Sequence, residues 1–426
     1  MTTILIFLGV LIVAVIAGIP IAFGLMLAGI TMLWQMGMLD WQSIALQMTN
    51  SADSFPLLAI PFFLLAGEVM NAGGLSKRLV NLGLALVGHL RGGLGYVAIV
   101  TAVLLASLSG SAIADTAVLA GMLVPIMRNS GYPMGRASGL IASGGIIAPV
   151  IPPSIGYIVF GVAGNVSITR LFLSGIVPGV AMALALTATW WLMCRRENMA
   201  TLPRKSGPEI RAALVDALVA LMLPVIIVGG LKFGVFTPTE AGVVACVYAM
   251  LAGAIIYREI TLPALYACLL SAVRTTASVM LLIAAAGVTA YAITIAGVPQ
   301  QLAALLGPLA QHQTFLMLAI VIIVIAVGTA LDFIPTILVL TPVLLPIAKQ
   351  AGIDPVYFGV VFMMAAAIGL LTPPVGAVLN VVCAVAKQRY SDVVRGVAPF
   401  ILVQILLLII LVLFPQIVIL PGRWLY

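Results

Sequence analysis

The sequence predicts an all-α polytopic membrane protein made of two structural repeats, each holding a re-entrant hairpin and a broken helix. Three observations lead there. Of the 426 residues, 63% are apolar and 7% charged, with mean hydropathy +1.28. No water-soluble core needs that much apolar surface, whereas bilayer spans of about 20 apolar residues do. A pattern of helix breakers in the first half returns at constant spacing in the second, and four polar clusters interrupt the apolar sequence, two per half.

Pro125 recurs as Pro346, Gly131 as Gly352, Pro152-Pro153 as Pro373-Pro374, Gly175 as Gly396 and Pro178 as Pro399, each pair 221 positions apart. Identities between these points are sparse, so what recurs is mainly backbone punctuation. In a chain this apolar, duplicated breakers point to a secondary transporter built from two repeats. The offset establishes equivalence and leaves their relative direction open.

Apolar segments run near 4–19, 21–38, 55–72, 80–108, 112–127, 137–163, 171–193, 213–231, 240–257, 262–296, 302–327, 333–347, 356–385 and 397–420. Some are too short to span and others too long, as hairpins and broken helices require. Ile4 to Ile19 lacks a basic leader and a small-residue cleavage site, and continues through Pro20 into Ile21–Leu33. It reads as a retained anchor. Residues 39–54 are amphipathic, with Trp34 and Trp41 nearby, and read as an interfacial helix.

Net charge is +7, but the basic residues sit in short loops, which favours a topological role over nucleic-acid binding. The most basic loop, Cys194 to Arg211, carries Arg195, Arg196, Arg204, Lys205 and Arg211 against Glu197 and Glu209, so it is expected on the cytoplasmic side. Cys194, Cys246, Cys268 and Cys383 have no CxxC spacing, and His89 and His312 read as loop or interface residues.

The first polar cluster is Ser107–Thr116, including Ser109, Gly110, Ser111 and Asp115; its counterpart is Gly328–Thr336, including Thr329 and Asp332. Each reads as a hairpin with a small, hydroxylated tip, where glycine eases the turn and hydroxyls satisfy freed backbone groups. The other two clusters are Ala148–Gly156, with Pro152, Pro153 and Ser154, and Gly369–Gly376, with Thr372, Pro373 and Pro374. A Pro-Pro pair removes two N–H donors and opens the helix. Freed carbonyls and hydroxyls suit a hard cation such as Na+, while half-helix N-termini suit an anion.

Asp115 and Asp332 stand in apolar sequence, where carboxylates are costly and functional by default. Ser111 aligns with Asp332 and Asp115 with Thr336, so each hairpin carries one acid and one hydroxyl in swapped order. Each acid is expected to stabilise a cation site, the alternative for either being a helix N-cap. Ser111, Ser154, Thr329 and Thr372 are also candidates to meet the solute. Glu68 reads as a structural ion pair at a helix end with Lys77 and Arg78 close by, and Glu240 as a first-turn acid after Thr237-Pro238. No GxxxxGK[ST], Ser-His-Asp set, HExxH or run of arginines is present, which argues against an ATPase, a hydrolase of those types and a voltage sensor.

Several motifs in order resemble the large membrane subunit of tripartite ATP-independent periplasmic (TRAP) transporters over essentially the full length. They are Gly18–Gly24 (GIPIAFG), Ala59–Glu68 (AIPFFLLAGE), Gly73–Ser76 (GGLS), Ser109–Thr116, Ile151–Ser154 (IPPS), Asp332 with Pro335–Pro342 (PTILVLTP), and Gly369–Gly376 (GLLTPPVG). The resemblance implies two inverted repeats and an elevator-type machine, in which a transport domain slides on a scaffold and carries an organic acid anion inward with Na+. The cation sites would combine Ser109, Gly110, Ser111, Asp115 and Thr116 with the Pro152–Gly156 break, and Gly328, Thr329 and Asp332 with Thr372–Gly376. Residues 1–54 would be scaffold helices and interfacial arm. Residues 55–193 would form the first repeat (hairpin near 107–127, broken helix 137–163), 194–212 the linker and 213–260 further scaffold. Residues 261–426 would form the second repeat (hairpin near 328–347, broken helix 356–385).

The resemblance further implies a small four-helix membrane subunit, separate here because the chain begins with the large-subunit pattern, and a periplasmic solute-binding protein. No cofactor, no nucleic acid and no metal beyond Na+ is expected, and the location is the bacterial inner membrane. A stand-alone Na+/dicarboxylate symporter is the nearest alternative, and an intramembrane hydrolase using Asp115 and Asp332 a distant one. A C4-dicarboxylate, a sialic acid and a sugar acid all fit as solute.

Overall fold

The computed structural model describes residues 2–196, 199, 201–305 and 312–425, so Glu197 of the basic loop and residues 306–311 of the 302–327 segment lie outside the described residues. Every regular element among the described residues is a helix, and eight are long and apolar enough to cross a membrane. The first two apolar stretches are α1 (Thr2–Ile16) and α2 (Ile21–Gln35). The amphipathic arm is α3 (Trp41–Ala52). Asp40 caps it, accepting from the N–H groups of Gln42 (3.1 Å) and Ser43 (3.0 Å), while Trp34 and Trp41 stay exposed. A 3-10 turn (Phe55–Leu58) leads into α4 (Ala59–Ala72) and α5 (Leu75–Val87).

The first hairpin is α6 (Gly93–Ser109) with α7 (Ala112–Asn129), the first broken helix α8 (Met134–Gly145) with α9 (Ile155–Gly164), and α10 (Ile168–Arg196) follows. The apolar segment 80–108 is therefore two helices, parted at 88–92. Next come α11 (Gly207–Lys232), α12 (Pro238–Leu251), α13 (Leu262–Ile295) and α14 (Val298–Leu305). Glu240 completes a capping box with Thr237, which its place after Pro238 favours. The second set is α15 (Gln313–Gly328) with α16 (Phe333–Gln350), α17 (Pro355–Gly369) with α18 (Ala377–Ala386), then α19 (Tyr390–Leu413) and α20 (Gln416–Leu425). Ala112 and Phe333 open equivalent helices and Asn129 and Gln350 close them, so the 221-residue offset holds at both ends.

Equivalent helices run in opposite directions. Along α10 and α19, the rings of Trp190 and Phe400 lie 6.4 Å apart and Gln404 Nε2 donates to the Met182 carbonyl at 3.1 Å; further along, Gly422 of α20 packs on Ser174. Going down α10 is going up α19. The hairpins obey the same two-fold relation. Arg128, in the last turn of α7, donates to the Ala386 carbonyl ending α18. Lys349, its counterpart in α16, donates to the Gly164 carbonyl ending α9 at 3.3 Å. Each hairpin thus sets a cation on the negative end of the other repeat's broken helix. The repeats are inverted.

These directions sort the charges. The end of the bundle reached by the close of α10 and the start of α11 carries Arg91, Arg128, Arg195, Lys205, Arg258 and Arg389, whereas the opposite end has Arg170, Lys232, Lys349 and Arg423. At the basic end Arg78 fastens α5 to its neighbours. It pairs with Asp216 of α11 (3.0 Å) and with Glu259 (2.8 Å), and lies over the Tyr257 ring.

Across the repeats, α8 and α19 touch backbone to backbone: a Cβ on Gly139 would lie 2.6 Å from the Gly396 carbonyl carbon. Gly139→Ala should therefore cost about 1–3 kcal/mol by overpacking, read as a lower melting temperature in detergent. Gly121→Ala, where nothing lies within 4 Å, should hold or raise it.

Candidate solute and cation site

The first tip is compact because of glycine. Ser109 ends α6, Gly110 turns the chain at φ +62, and Ser111 caps α7, its Oγ accepting from the Ala114 N–H at 3.4 Å. A side chain at Gly110 would strain that left-handed backbone, press on the Pro153 carbonyl and lie 2.8 Å from Ser154 Cα. Tip and break of the first repeat are therefore in direct contact. Asp115, one turn into α7, is 3% exposed; its Oδ1 accepts from Ser109 Oγ, while Oδ2 and the Oγ1 of Thr116, next in sequence, are buried without a partner among the described residues. Ser111 does the capping, so Asp115 is not an N-cap. Unpaired buried oxygens are costly in an apolar medium; Asp115 turns to the tip and Thr116 Oγ1 to Gly145 of α8.

The second tip is built differently. Asp332 is itself the N-cap of α16, its Oδ1 accepting from the Phe333 N–H at 2.8 Å, and its side chain is exposed. A Cβ on Gly369 would lie 2.8 Å from Gly328 Cα, so α15 and α17 meet at their ends. Gly156 packs on the Phe333 ring, which joins the first break to the second tip. Both Pro-Pro bonds, Pro152-Pro153 and Pro373-Pro374, are cis. Ser154 Oγ donates to the Pro149 carbonyl (2.8 Å), Thr329 Oγ1 to Ala326 (2.7 Å) and Thr372 Oγ1 to Ile368 (2.8 Å). Their protons are used locally, and their lone pairs remain as acceptors.

The tips face a cavity of about 340 Å³ closed on the far side by α4 and α13. Ser109, Gly110, Ser111 and Asp332 line it, with the first turns of α7 and α16. Asp115, Thr116 and Ser154 lie behind that wall, and Tyr390 Oη donates to the Pro374 carbonyl (2.9 Å) at the second break. A second cavity, about 400 Å³, continues along α13, α16 and α9, whose Ile155 also lines the first: Val159 and Val162 of α9, Ile283 and Gly287 of α13, Leu338 and Pro342 of α16 line it. It is roofed by Asn50–Ser54 at the end of α3.

Glu68 departs from expectation. Arg78 is engaged by Asp216 and Glu259, and Glu68 instead accepts from Ser271 Oγ of α13 at 2.8 Å and lines the tip cavity beside Asn71. It lies a full turn inside α4, so its side chain meets α13 before it can reach the helix end.

The family described as tripartite ATP-independent periplasmic transporter, DctM component, matches residues 8–417. The chain belongs to that family. It is 51% identical over 421 residues, 99% of both chains, to the 2,3-diketo-L-gulonate TRAP transporter large permease protein YiaN of Escherichia coli K12. It is 36% identical, over 94% of both chains, to the sialic acid TRAP transporter large permease protein SiaM of Vibrio cholerae. The Alcanivorax borkumensis YdaH transporter shares the fold, with TM-score 0.63, 17% identity and coverage of 90% of this chain and 87% of that one. This TRAP permease is thus a multi-pass protein of the bacterial inner membrane and a transporter subunit, not an enzyme. The hydrolase alternative is closed.

Gly110→Ala should lower solute uptake by roughly five- to thirtyfold, since the strain of a left-handed alanine, about 1–2 kcal/mol, falls on the contact between tip and break. Equal amounts of protein in the membrane fraction would confirm that assembly survives.

Proposed function

We propose that this TRAP permease imports an organic acid anion together with Na+, by elevator-type alternating access. A periplasmic binding protein would deliver the solute, and a small four-helix membrane subunit would complete the scaffold. The observation carrying this reading is the pair of cavities aligned on one stripe of α9, α13 and α16. Ile334 and Pro342 on α16 stand roughly 12 Å apart at 1.5 Å per residue, which is a path along which the joined tips and breaks can slide past α13. By the positive-inside rule the basic end is cytoplasmic, and the tip cavity lies toward that end, on the halves of α4 and α13 nearest it.

Na+ would bind at Ser109, Gly110, Ser111, Asp115 and Thr116 with Pro152–Gly156, and at Gly328, Thr329 and Asp332 with Thr372–Gly376. The unpaired oxygens of Asp115 and Thr116 favour a cation there. The carboxylate of the solute would meet the N-terminal turns of α7 and α16, both of which face the tip cavity beside Ser111; Ser154, Thr329 and Thr372, the other candidates, stand outside its lining. A sugar acid related to diketogulonate is favoured by the 51% identical relative.

Uptake of labelled 2,3-diketogulonate, sialic acid and C4-dicarboxylates into proteoliposomes holding this chain and its small subunit tests the proposal. Uptake should require both an inward Na+ gradient and the binding protein. Uptake with Na+ but without the binding protein would instead make this a stand-alone symporter. Asp332→Asn should raise the half-saturating Na+ concentration by roughly tenfold or more, the worth of one charged ligand; an unchanged Na+ dependence would remove Asp332 from the cation sites.

A further inference from the structure

Each of the two cavities is lined by one carboxylate from outside the tips and breaks. Glu68 of α4, held by Ser271 Oγ, faces the tip cavity toward the basic end. Asp53, the C-cap of α3, lines the second cavity toward the opposite end, where Thr239 at the start of α12 donates to the Phe55 carbonyl beside it. Its side chain is exposed and has no hydrogen bond or ion pair among the described residues. Among the described residues, neither cavity has a lysine or arginine in its lining. The two acids sit on different helices and at different depths along α13, between Thr275 and Val279 in one case and Ile283 to Ala290 in the other.

We propose that Glu68 and Asp53 are cation-capture residues for the two sides of the membrane, Glu68 serving the cytoplasmic mouth and Asp53 the periplasmic mouth. The inference rests on the Na+-coupled reading above. A cleft with low-dielectric walls and one sign of charge focuses its field and raises the local concentration of counter-ions. In both cavities every charged side chain in the lining among the described residues is an acid. Such a lining draws Na+ in and opposes a carboxylate-bearing solute arriving alone, so the cation enters first and the solute follows into a neutralised site. α3 packs on α13, and α4 on α12 and α13; in this proposal those elements form the wall past which the tips move, and both acids stay with it. Each therefore acts only on the side to which its own cavity opens. Ser271 positions Glu68 by fixing Oε1 and leaves Oε2 for the ion.

The test is sided. Radioactive sodium entry is measured in right-side-out and in inverted membrane vesicles containing this chain, its small subunit and its binding protein. A mixture of 2,3-diketogulonate, sialic acid and succinate serves as co-solute. Glu68→Gln should raise the half-saturating Na+ concentration about three- to tenfold in inverted vesicles and by less than twofold in right-side-out ones. Asp53→Asn should give the mirror pattern. Glu68→Asp should keep the half-saturating Na+ concentration near that of the unaltered protein, since the charge is kept. Loss on both sides equally, or on neither, would overturn the proposal. Asp53 lies on an exposed helix end, so its variant carries the test alone if Glu68→Gln does not insert. A wild-type protein whose solute-dependent sodium entry is absent would instead overturn the Na+ reading, and this inference with it.

Discussion

Backbone N–H and C=O groups find no partner in hydrocarbon, and that constraint governs the rest of this structure. A helix satisfies it alone; an opened helix does not. Here four openings lie near the middle of the bundle, at Gly110, at Gly328–Asp332, at Pro152-Pro153 and at Pro373-Pro374. They are tolerable because they are packed on one another: Gly110 on Pro153, Gly328 on Gly369, Gly156 on Phe333. Side chains finish the satisfaction, with Ser154, Thr329 and Thr372 each donating to a nearby carbonyl. The irregular backbone becomes one body, and polar atoms concentrate inside it where lipid is excluded.

Inversion follows from the same economy of contacts. Two copies of a hairpin and a broken helix can cover each other's openings when one is turned over, because each hairpin end then reaches the other copy's helix end. Arg128 on Ala386 and Lys349 on Gly164 are that exchange made twice, once at each face of the bundle. The glycines of α8 and α19 let the two copies approach to backbone contact.

The two hairpins share a fold and not a chemistry. In the first, Ser111 caps the helix and Asp115 is buried with an oxygen left over; in the second, Asp332 is the cap and faces the cavity. Swapping acid and hydroxyl across a register of four residues moves one carboxylate a full turn inward. One acid thus sits behind the cavity wall and the other on it.

The helical membrane class, the positions of the openings and the pairing of the repeats are written in residue type and spacing. These depend on local rules: proline cannot donate, glycine turns, and apolar length must match the bilayer. The amphipathic segment 39–54 and the first-turn acid Glu240 were legible for the same reason. Direction, and the company each polar residue keeps, were decided only by tertiary packing. The 221-residue offset is identical for parallel and inverted copies, and antiparallel α10 and α19 distinguish them. Glu68 looked like a helix-end ion pair because Lys77 and Arg78 are near in sequence. In the folded chain Arg78 turns to Asp216 and Glu259, which lie 138 and 181 residues away, and Glu68 turns to Ser271 and the cavity. Electrostatic partners are chosen by distance in space, and a one-dimensional pattern does not contain that distance.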